Sequence, residues 1–129
     1  MCIRDSAMAE ANPEFAGDIA GGMAAGDPGQ AADIATAMAA ANPDAAGEIA
    51  GGVAQLAPGS AGDVAGAMVE ANPDGAADMA ATIAETVPGA ASVVAGAIAE
   101  ADPTLAADAA SAMMEANPAA AAQLSLIHI

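Results

Sequence analysis

The chain has 129 residues, of which 17 are Asp or Glu and one is Lys or Arg, so its net charge at pH 7 is −16. Alanine supplies most of the hydrophobic 56%, alongside one Phe, no Tyr and no Trp. This charge excludes a nucleic-acid partner and an anionic membrane surface, because both are bound through Lys and Arg. We also expect no membrane insertion, since no uncharged, proline-free run reaches the roughly 18 apolar residues that a spanning helix needs.

The two ends differ from everything between them. They carry Cys2, Arg4 and His128, the lone Cys, basic residue and His of the chain. Back-translation of residues 1–6 gives a nucleotide string whose reverse complement encodes residues 124–129. The match resembles a transposon mosaic-end sequencing adapter read in both orientations, which implies that neither end is native protein. We therefore expect residues 7–123 to be a fragment open at both ends, with its native N terminus missing and its localisation unknown.

Prolines divide this region into units of fifteen residues. They are Pro13, Pro28, Pro43, Pro58, Pro73, Pro88, Pro103 and Pro118. With proline as position 1, positions 4 and 8 are always Ala, and positions 7 and 11 hold Ile, Val or Met apart from Ala109. Such a fixed period predicts an array in which each unit buries its apolar face only against neighbouring repeats of the same chain.

Each unit has the pattern of an amphipathic helix. Positions 4, 7, 8 and 11 follow the i, i+3, i+4, i+7 spacing of one helix face, and most acids occupy positions 2, 6 and 13 on the opposite face. Proline suits the first helical position, and a preceding Asn or Asp can cap the first turn. These capping candidates are Asn12, Asn42, Asn72, Asp102 and Asn117. We expect helices of about twelve residues joined by turns of about three.

A second period of thirty residues overlays the first. From Pro13 to Pro88, prolines that follow Asn and precede an acid alternate with prolines that precede Gly. The alternation predicts an all-α solenoid of short amphipathic helices with a fifteen-residue repeat, paired as antiparallel hairpins with a thirty-residue super-period. Small residues at positions 5 and 10 would let neighbouring helices approach closely. An unfolded Ala- and Gly-rich segment is the alternative, but it would not maintain caps, an apolar face and an acidic face together.

The architecture resembles the α-solenoid class that includes HEAT, armadillo and tetratricopeptide arrays. The resemblance covers residues 7–123 and concerns design alone, because the tetratricopeptide Trp, Gly and Tyr signature is missing. It therefore implies no functional residue in this chain.

Residue types argue against catalysis. Residues 7–123 contain no Cys, His, Lys, Arg, Tyr or Trp. Two carboxylates can hydrolyse glycosides, but one of them must be buried, and these acids lie opposite the apolar face. We predict no enzyme, no catalytic residue and no cofactor. The leading hypothesis is a scaffold, spacer or protein-interaction segment of a longer protein, with a protein partner that the sequence does not identify.

Acids recur at position 6 in six of the seven complete units, and stacked helices would align them in a row. The candidates are Asp18, Asp33, Glu48, Asp63, Asp78 and Asp108. Such a row could loosely bind Ca²⁺, other hard cations or a mineral. It could equally be a solvated face, or an adaptation to high salt with no ligand. No Asp-x-Asp-x-Asp-Gly loop is present, so we predict no specific metal site.

Three larger apolar residues interrupt the small-residue pattern outside positions 7 and 11. They are Phe15 and Leu105 at position 3, and Leu56 at position 14. They could mark a docking edge, although filling a local gap is the simpler interpretation.

Overall fold

The computed structural model describes residues 11–119 and residue 122, so the adapter-like ends at 1–6 and 124–129 lie outside the described residues. Seven α-helices of eleven residues follow one another in the described part, with no strand among them. They are α1 (Ala16–Gly26), α2 (Ala31–Ala41), α3 (Ala46–Leu56), α4 (Ala61–Ala71), α5 (Ala76–Thr86), α6 (Ala91–Ala101) and α7 (Ala106–Ala116). A three-residue 3-10 turn that starts at proline precedes each of the first six, from Pro13–Phe15 to Pro88–Ala90. Residues 103–105 form a turn before α7.

A single extended residue separates each helix from the turn that follows it. At Asn42, the N–H donates to the Met38 carbonyl at 2.9 Å and ends α2. The Asn42 carbonyl accepts from Ala45 N–H at 3.1 Å and opens the next turn. Its φ of −139° and ψ of 81° lie outside the helical region, which is disfavoured for a residue before proline. The connection between a helix and the next 3-10 turn is therefore a single residue, shorter than the predicted turn of about three residues, because the 3-10 turn begins at the proline itself.

The predicted side-chain caps form only in part. Asn42 and Asn72 make no side-chain cap hydrogen bond. At both corners the backbone carbonyl of the Asn accepts from the N–H at position 3. Asp102 does cap its turn, since its Oδ1 accepts from Thr104 N–H at 2.9 Å. Most of these turns are therefore stabilised by backbone hydrogen bonds alone.

Asn117 both caps a turn and joins two repeats. Its Oδ1 accepts from Ala119 N–H at 3.0 Å, as the sequence predicts. Its Nδ2 donates to the carbonyl of Ala84 in α5, also at 3.0 Å. The second hydrogen bond ties the end of α7 to a helix thirty residues earlier in the repeat.

The helices form two layers, which confirms the predicted solenoid of helix pairs with a thirty-residue super-period. α1, α3, α5 and α7 form one layer, here called the odd layer. α2, α4 and α6 form the other, the even layer. Each helix packs more extensively against the next helix of its own layer than against its neighbour in sequence. One helix from each layer, thirty residues in all, is therefore the structural unit.

The core lies between the layers and consists mainly of the predicted positions 4, 7, 8 and 11, together with position 12, which was not predicted to be buried. The buried residues at position 12 are Ala24, Ala39, Ala54, Val69 and Ala84. Ile49 and Ile83 are both 0% exposed, as is Ala50 at position 8. Ile19 and Met23 of α1 are only partly buried, because no described helix precedes α1 in the odd layer. The interior is thus a thin line of Ile, Val and Met between alanine faces.

Helices of one layer approach until backbone meets backbone. A Cβ atom added at Gly52 of α3 would overlap the Gly17 carbonyl of α1, and one added at Gly17 would overlap the Glu48 carbonyl. Only glycine permits so close an approach at these positions. Position 5 of one helix faces position 10 of the next helix in its layer again farther along the chain, where the atoms nearest to Gly47 and Gly62 belong to side chains. The pairs are Gly17 with Gly52, Gly47 with Thr82, and Gly62 with Ala97.

We expect Gly52→Ala to lower the free energy of unfolding by about 1–3 kcal/mol, because the added methyl group forces the α1–α3 backbones apart. Gly22 is the matched control, since it occupies the same position 10 in α1 and has nothing within 4 Å of an added Cβ. Gly22→Ala should raise that free energy by about 0.5–1 kcal/mol through helix propensity. Urea unfolding followed by circular dichroism measures both changes, and equal effects at the two sites would contradict the packing described.

Candidate functional site

The six position-6 acids, the candidate cation row, divide between two faces of the solenoid. Because successive helices alternate between layers, the single row predicted from the sequence becomes two. The odd layer carries Asp18, Glu48, Asp78 and Asp108, and the even layer carries Asp33 and Asp63. Val93 takes the next place on the even layer. All six acids are exposed, so each row is a solvated edge of its layer.

A shallow groove of about 210 Å³ runs along the odd layer beside this row. Its carboxylates come from Glu14 and Asp18 at the start of α1 and from Glu48 in α3. Its floor is the glycine backbone at the α1–α3 contact, where missing side chains leave the space open. Gln55, Thr82 and Thr86 complete the lining. Carboxylate, amide and hydroxyl groups of this kind can only attract cations or donate and accept hydrogen bonds.

The even layer has an equivalent groove between α4 and α6, of about 340 Å³. Asp63, Glu70 and Glu100 line it, above a floor of Gly and Ala. Both layers therefore present the same surface, in which acids stand at the rim of a channel left by small residues.

Neither groove gathers its acids into a metal site. Within residues 11–119 and residue 122, no group of three His, Cys, Asp or Glu side chains is placed to hold a metal ion. Hard cations such as Ca²⁺ require six to eight oxygen ligands around one point. The spacing along each row instead distributes negative charge over the surface.

The position of the acids also bears on catalysis. No Asp or Glu of the described part of the chain is buried, and Asp102 alone among them is partly shielded. A carboxylic acid that donates a proton near neutral pH needs burial to keep it protonated.

Asp102 has the one carboxyl group in the described part that accepts two hydrogen bonds. Thr104 donates to its Oδ1 from the side-chain hydroxyl at 2.6 Å and from the backbone N–H at 2.9 Å. These bonds, first the hydroxyl and then the N–H, lower the pKa of Asp102 below its ordinary value of 3.8. The residue stabilises a corner between α6 and α7.

Sequence reasoning missed the role of two threonines in α5. Methyl and hydroxyl groups of Thr82 and Thr86 cover the gap above Gly51 of α3. Their hydroxyls donate to backbone carbonyls one turn earlier, Thr82 to Asp78 at 2.9 Å and Thr86 to Thr82 at 2.8 Å. The sequence does contain a signal for this contact. Gly47 and Gly51 occupy positions 5 and 9 of α3, and larger residues stand thirty-five residues later, Thr82 and Thr86 at positions 10 and 14 of their unit.

Comparison with protein-family models, with curated proteins and with solved structures gives no match to this chain. In the described part of the chain, no helix has the length and apolarity required to cross a membrane.

We expect Thr104→Val to raise the pKa of Asp102 toward 3.8, because the strongest hydrogen bond to the carboxylate is lost. Since the folded-state pKa lies below the unfolded one, the ionised carboxylate stabilises the fold at neutral pH. That contribution is lost as the pH falls below about 4 through the folded-state pKa. The melting-temperature difference between wild type and variant should therefore shrink with acid, and carboxyl-carbon NMR titration gives the pKa directly.

Thr86→Val is the matched control for this titration. Its hydroxyl donates to a backbone carbonyl, so its effect on the melting temperature should not follow the ionisation of a carboxylate. A pH-independent difference for Thr104→Val as well would contradict the assignment to Asp102.

We expect calorimetric titration with Ca²⁺ to give no saturable heat when ionic strength is held constant with NaCl. The odd-layer row holds its carboxylates apart, so divalent ions screen them without a defined stoichiometry. The variant Asp18→Asn/Glu48→Gln should give the same trace as wild type. A saturable isotherm that this variant loses would establish a calcium site in the α1–α3 groove.

Proposed function

We propose that this chain is a non-enzymatic helical-repeat segment of a longer protein, serving as a scaffold, spacer or protein-interaction surface. The observation that carries the proposal is the single core cluster that extends from Ala16 in α1 to Met113 in α7. Every helix contributes to this one stack, so the segment behaves mechanically as a unit. Residue types that supply nucleophiles and bases are missing from residues 7–123, which also favours a structural role.

The geometry of the stack suits a spacer. Each thirty-residue unit adds one helix to each layer, and neighbouring helices pack about 8–10 Å apart. The length of the segment therefore rises in equal steps with the number of units. Backbone contacts such as Gly17 against Gly52 oppose sliding of one helix along another, because movement would bring Cα and carbonyl groups into overlap.

The outer faces define the chemistry of any partner protein. Both carry exposed acids, and the net charge of the chain is −16. A protein that binds laterally would present Lys or Arg to these rows, and its association rate would fall as salt increases. We infer that the acids select against acidic partners and against lateral clustering of the segment itself.

We expect tandem duplication of residues 43–72, which contain α3 and α4, to raise the melting temperature and lengthen the molecule by about 8–10 Å. The added unit brings one complete interface to each layer. Small-angle X-ray scattering measures the maximum dimension, and circular dichroism measures the melting temperature.

Duplication of residues 43–57 alone is the control for register. It preserves the fifteen-residue period but moves every later helix into the other layer. Gly47 of the first copy then faces Ala67 of α4 instead of Thr82 of α5, and α2 faces the copied α3 instead of α4. This insertion should stabilise less than the thirty-residue one or should destabilise the stack. If neither insertion changes the maximum dimension, the segment is not an extending array and the spacer proposal fails.

A further inference from the structure

Two of the connections between helices place an aspartate directly before proline. They are Asp27–Pro28 between α1 and α2, and Asp102–Pro103 between α6 and α7. The other six prolines follow Asn, Ala or Val. A carboxyl group can act as a nucleophile, and proline leaves a peptide bond as a basic secondary amine. Asp–Pro bonds are therefore the backbone bonds most open to attack by a side chain of the same residue.

The carboxyl group of Asp27 is folded over the residues that follow it. Its Oδ2 accepts from Gln30 Nε2 at 2.7 Å. Its Oδ1 lies 3.5 Å from the place of a Cβ atom added at Gly29. Both oxygens thus lie toward residues 29 and 30, which brings the carboxyl group to the side of its own backbone carbonyl. A reactant held in this way needs little further ordering before it reacts.

The carbonyl group of the same bond is polarised by the turn. The Asp27 carbonyl oxygen accepts from the backbone N–H of Gln30 at 3.1 Å. A donor in this position stabilises the negative charge that develops on the oxygen when its carbon is attacked. Gln30 therefore contacts both reacting groups, the carbonyl through its backbone and the carboxyl through its side chain.

The bond is open to water and lies among neutral groups. Asp27, Pro28, Gly29 and Gln30 are all exposed. From the neighbouring repeat of the even layer, the hydroxyl of Ser60 donates to the Pro28 carbonyl at 3.5 Å. None of the residues in these contacts other than Asp27 titrates, so no charged partner there holds its carboxyl group in the ionised form.

We propose that the chain cuts itself at the Asp27–Pro28 bond in mild acid. The protonated carboxyl group of Asp27 attacks its own backbone carbonyl carbon, so that a C–O bond forms and the C–N bond to Pro28 breaks. The carboxyl proton passes to the proline nitrogen, which leaves as a free amine. The cyclic anhydride that remains at Asp27 takes up one water molecule and opens into the side-chain carboxyl and a new C-terminal carboxyl.

The cut divides the array without dismantling it. Each bond reacts once, so the segment remains non-enzymatic. After the cut, α1 still packs against α3 through the Gly17–Gly52 contact. The proposal rests on the scaffold function and deepens it, because it gives the scaffold a point at which acid severs its covalent continuity.

Asp102–Pro103 provides a comparison within the same chain. Its carbonyl oxygen also accepts an N–H, from Leu105 at 3.1 Å. Its carboxyl group differs, because Thr104 donates to Oδ1 from the hydroxyl at 2.6 Å and from the N–H at 2.9 Å. These bonds favour the ionised carboxylate, which carries no proton for the leaving nitrogen. We therefore expect the fold to protect this bond rather than to promote its cleavage.

Intact-mass spectrometry of the full chain tests the proposal at about pH 4, where aspartate side chains take up protons. Parallel samples in buffer and in concentrated urea separate the effect of the fold from that of the dipeptide, and circular dichroism reports whether the buffer sample is helical. We expect fragments 1–27 and 28–129 to form about tenfold faster in buffer than in urea. Cleavage after Asp102 should show no such acceleration.

Asp27→Asn and Asp27→Glu are the matched variants. Asn occupies the same place before proline at Asn42 and Asn72, so the first variant fits the fold but lacks the nucleophile. The second keeps the carboxyl group but must close a larger ring. Both should abolish the cut after residue 27 and leave the Asp102–Pro103 bond unchanged. Gln30→Ala, with the residue found at Ala45, should lower the rate in buffer but not in urea, because Gln30 positions the carboxyl group.

Equal rates in buffer and in urea would overturn the proposal, because the cleavage would then belong to the dipeptide alone. A greater acceleration at Asp102–Pro103 than at Asp27–Pro28 would do so too, as would a cut that Asp27→Asn retains. A wild-type chain that is helical and stays intact would overturn self-cleavage and leave the scaffold proposal standing. A chain without helical circular dichroism would overturn both proposals.

Discussion

The contact between backbones of neighbouring helices in one layer is the interaction on which the rest of the fold depends. At the α1–α3 contact, Gly17 and Gly52 leave no room for a Cβ atom on either side. Such proximity is what allows alanine to serve as a core residue, because dispersion attraction falls steeply with separation and a methyl group reaches only a short distance. Larger side chains at positions 5 and 10 would separate the helices and leave the alanine faces without partners.

The same constraint governs where charge can lie. A core built from Ala with a line of Ile, Val and Met offers a carboxylate no hydrogen-bond donor, and no Asp or Glu of the described part of the chain is buried. On the outer faces the acids are solvated, and the alternation of helices divides them between two surfaces.

The connections between successive helices explain why a repeat of only fifteen residues can be regular. One extended residue ends a helix with its N–H and opens the next turn with its carbonyl, as Asn42 does. Proline immediately after it enforces the extended conformation and enters the turn without a donor to satisfy. With both backbone groups of this residue engaged, the same connection recurs from one unit to the next, and seven helices of equal length follow one another in the described part.

Local features of this protein could be predicted from its sequence, because they depend on residues within one turn or one helix of each other. The proline boundaries, the buried face at positions 4, 7, 8 and 11, and the exposed acids all follow from the fifteen-residue period and the 3.6-residue turn. The predicted side-chain cap at Asn42 does not form, whereas those at Asp102 and Asn117 do, so the residue type before proline did not by itself decide capping.

What only the tertiary structure decided concerns residues far apart in the chain. The pairing of Gly17 with Gly52 and the two rows of acids in place of one both follow from which helices become neighbours. That choice depends on the direction taken at each corner and on the distance at which helices stop approaching. The periodic sequence pattern predicts which face of each helix is buried. Which helix packs against that face is determined by how closely the backbones can approach.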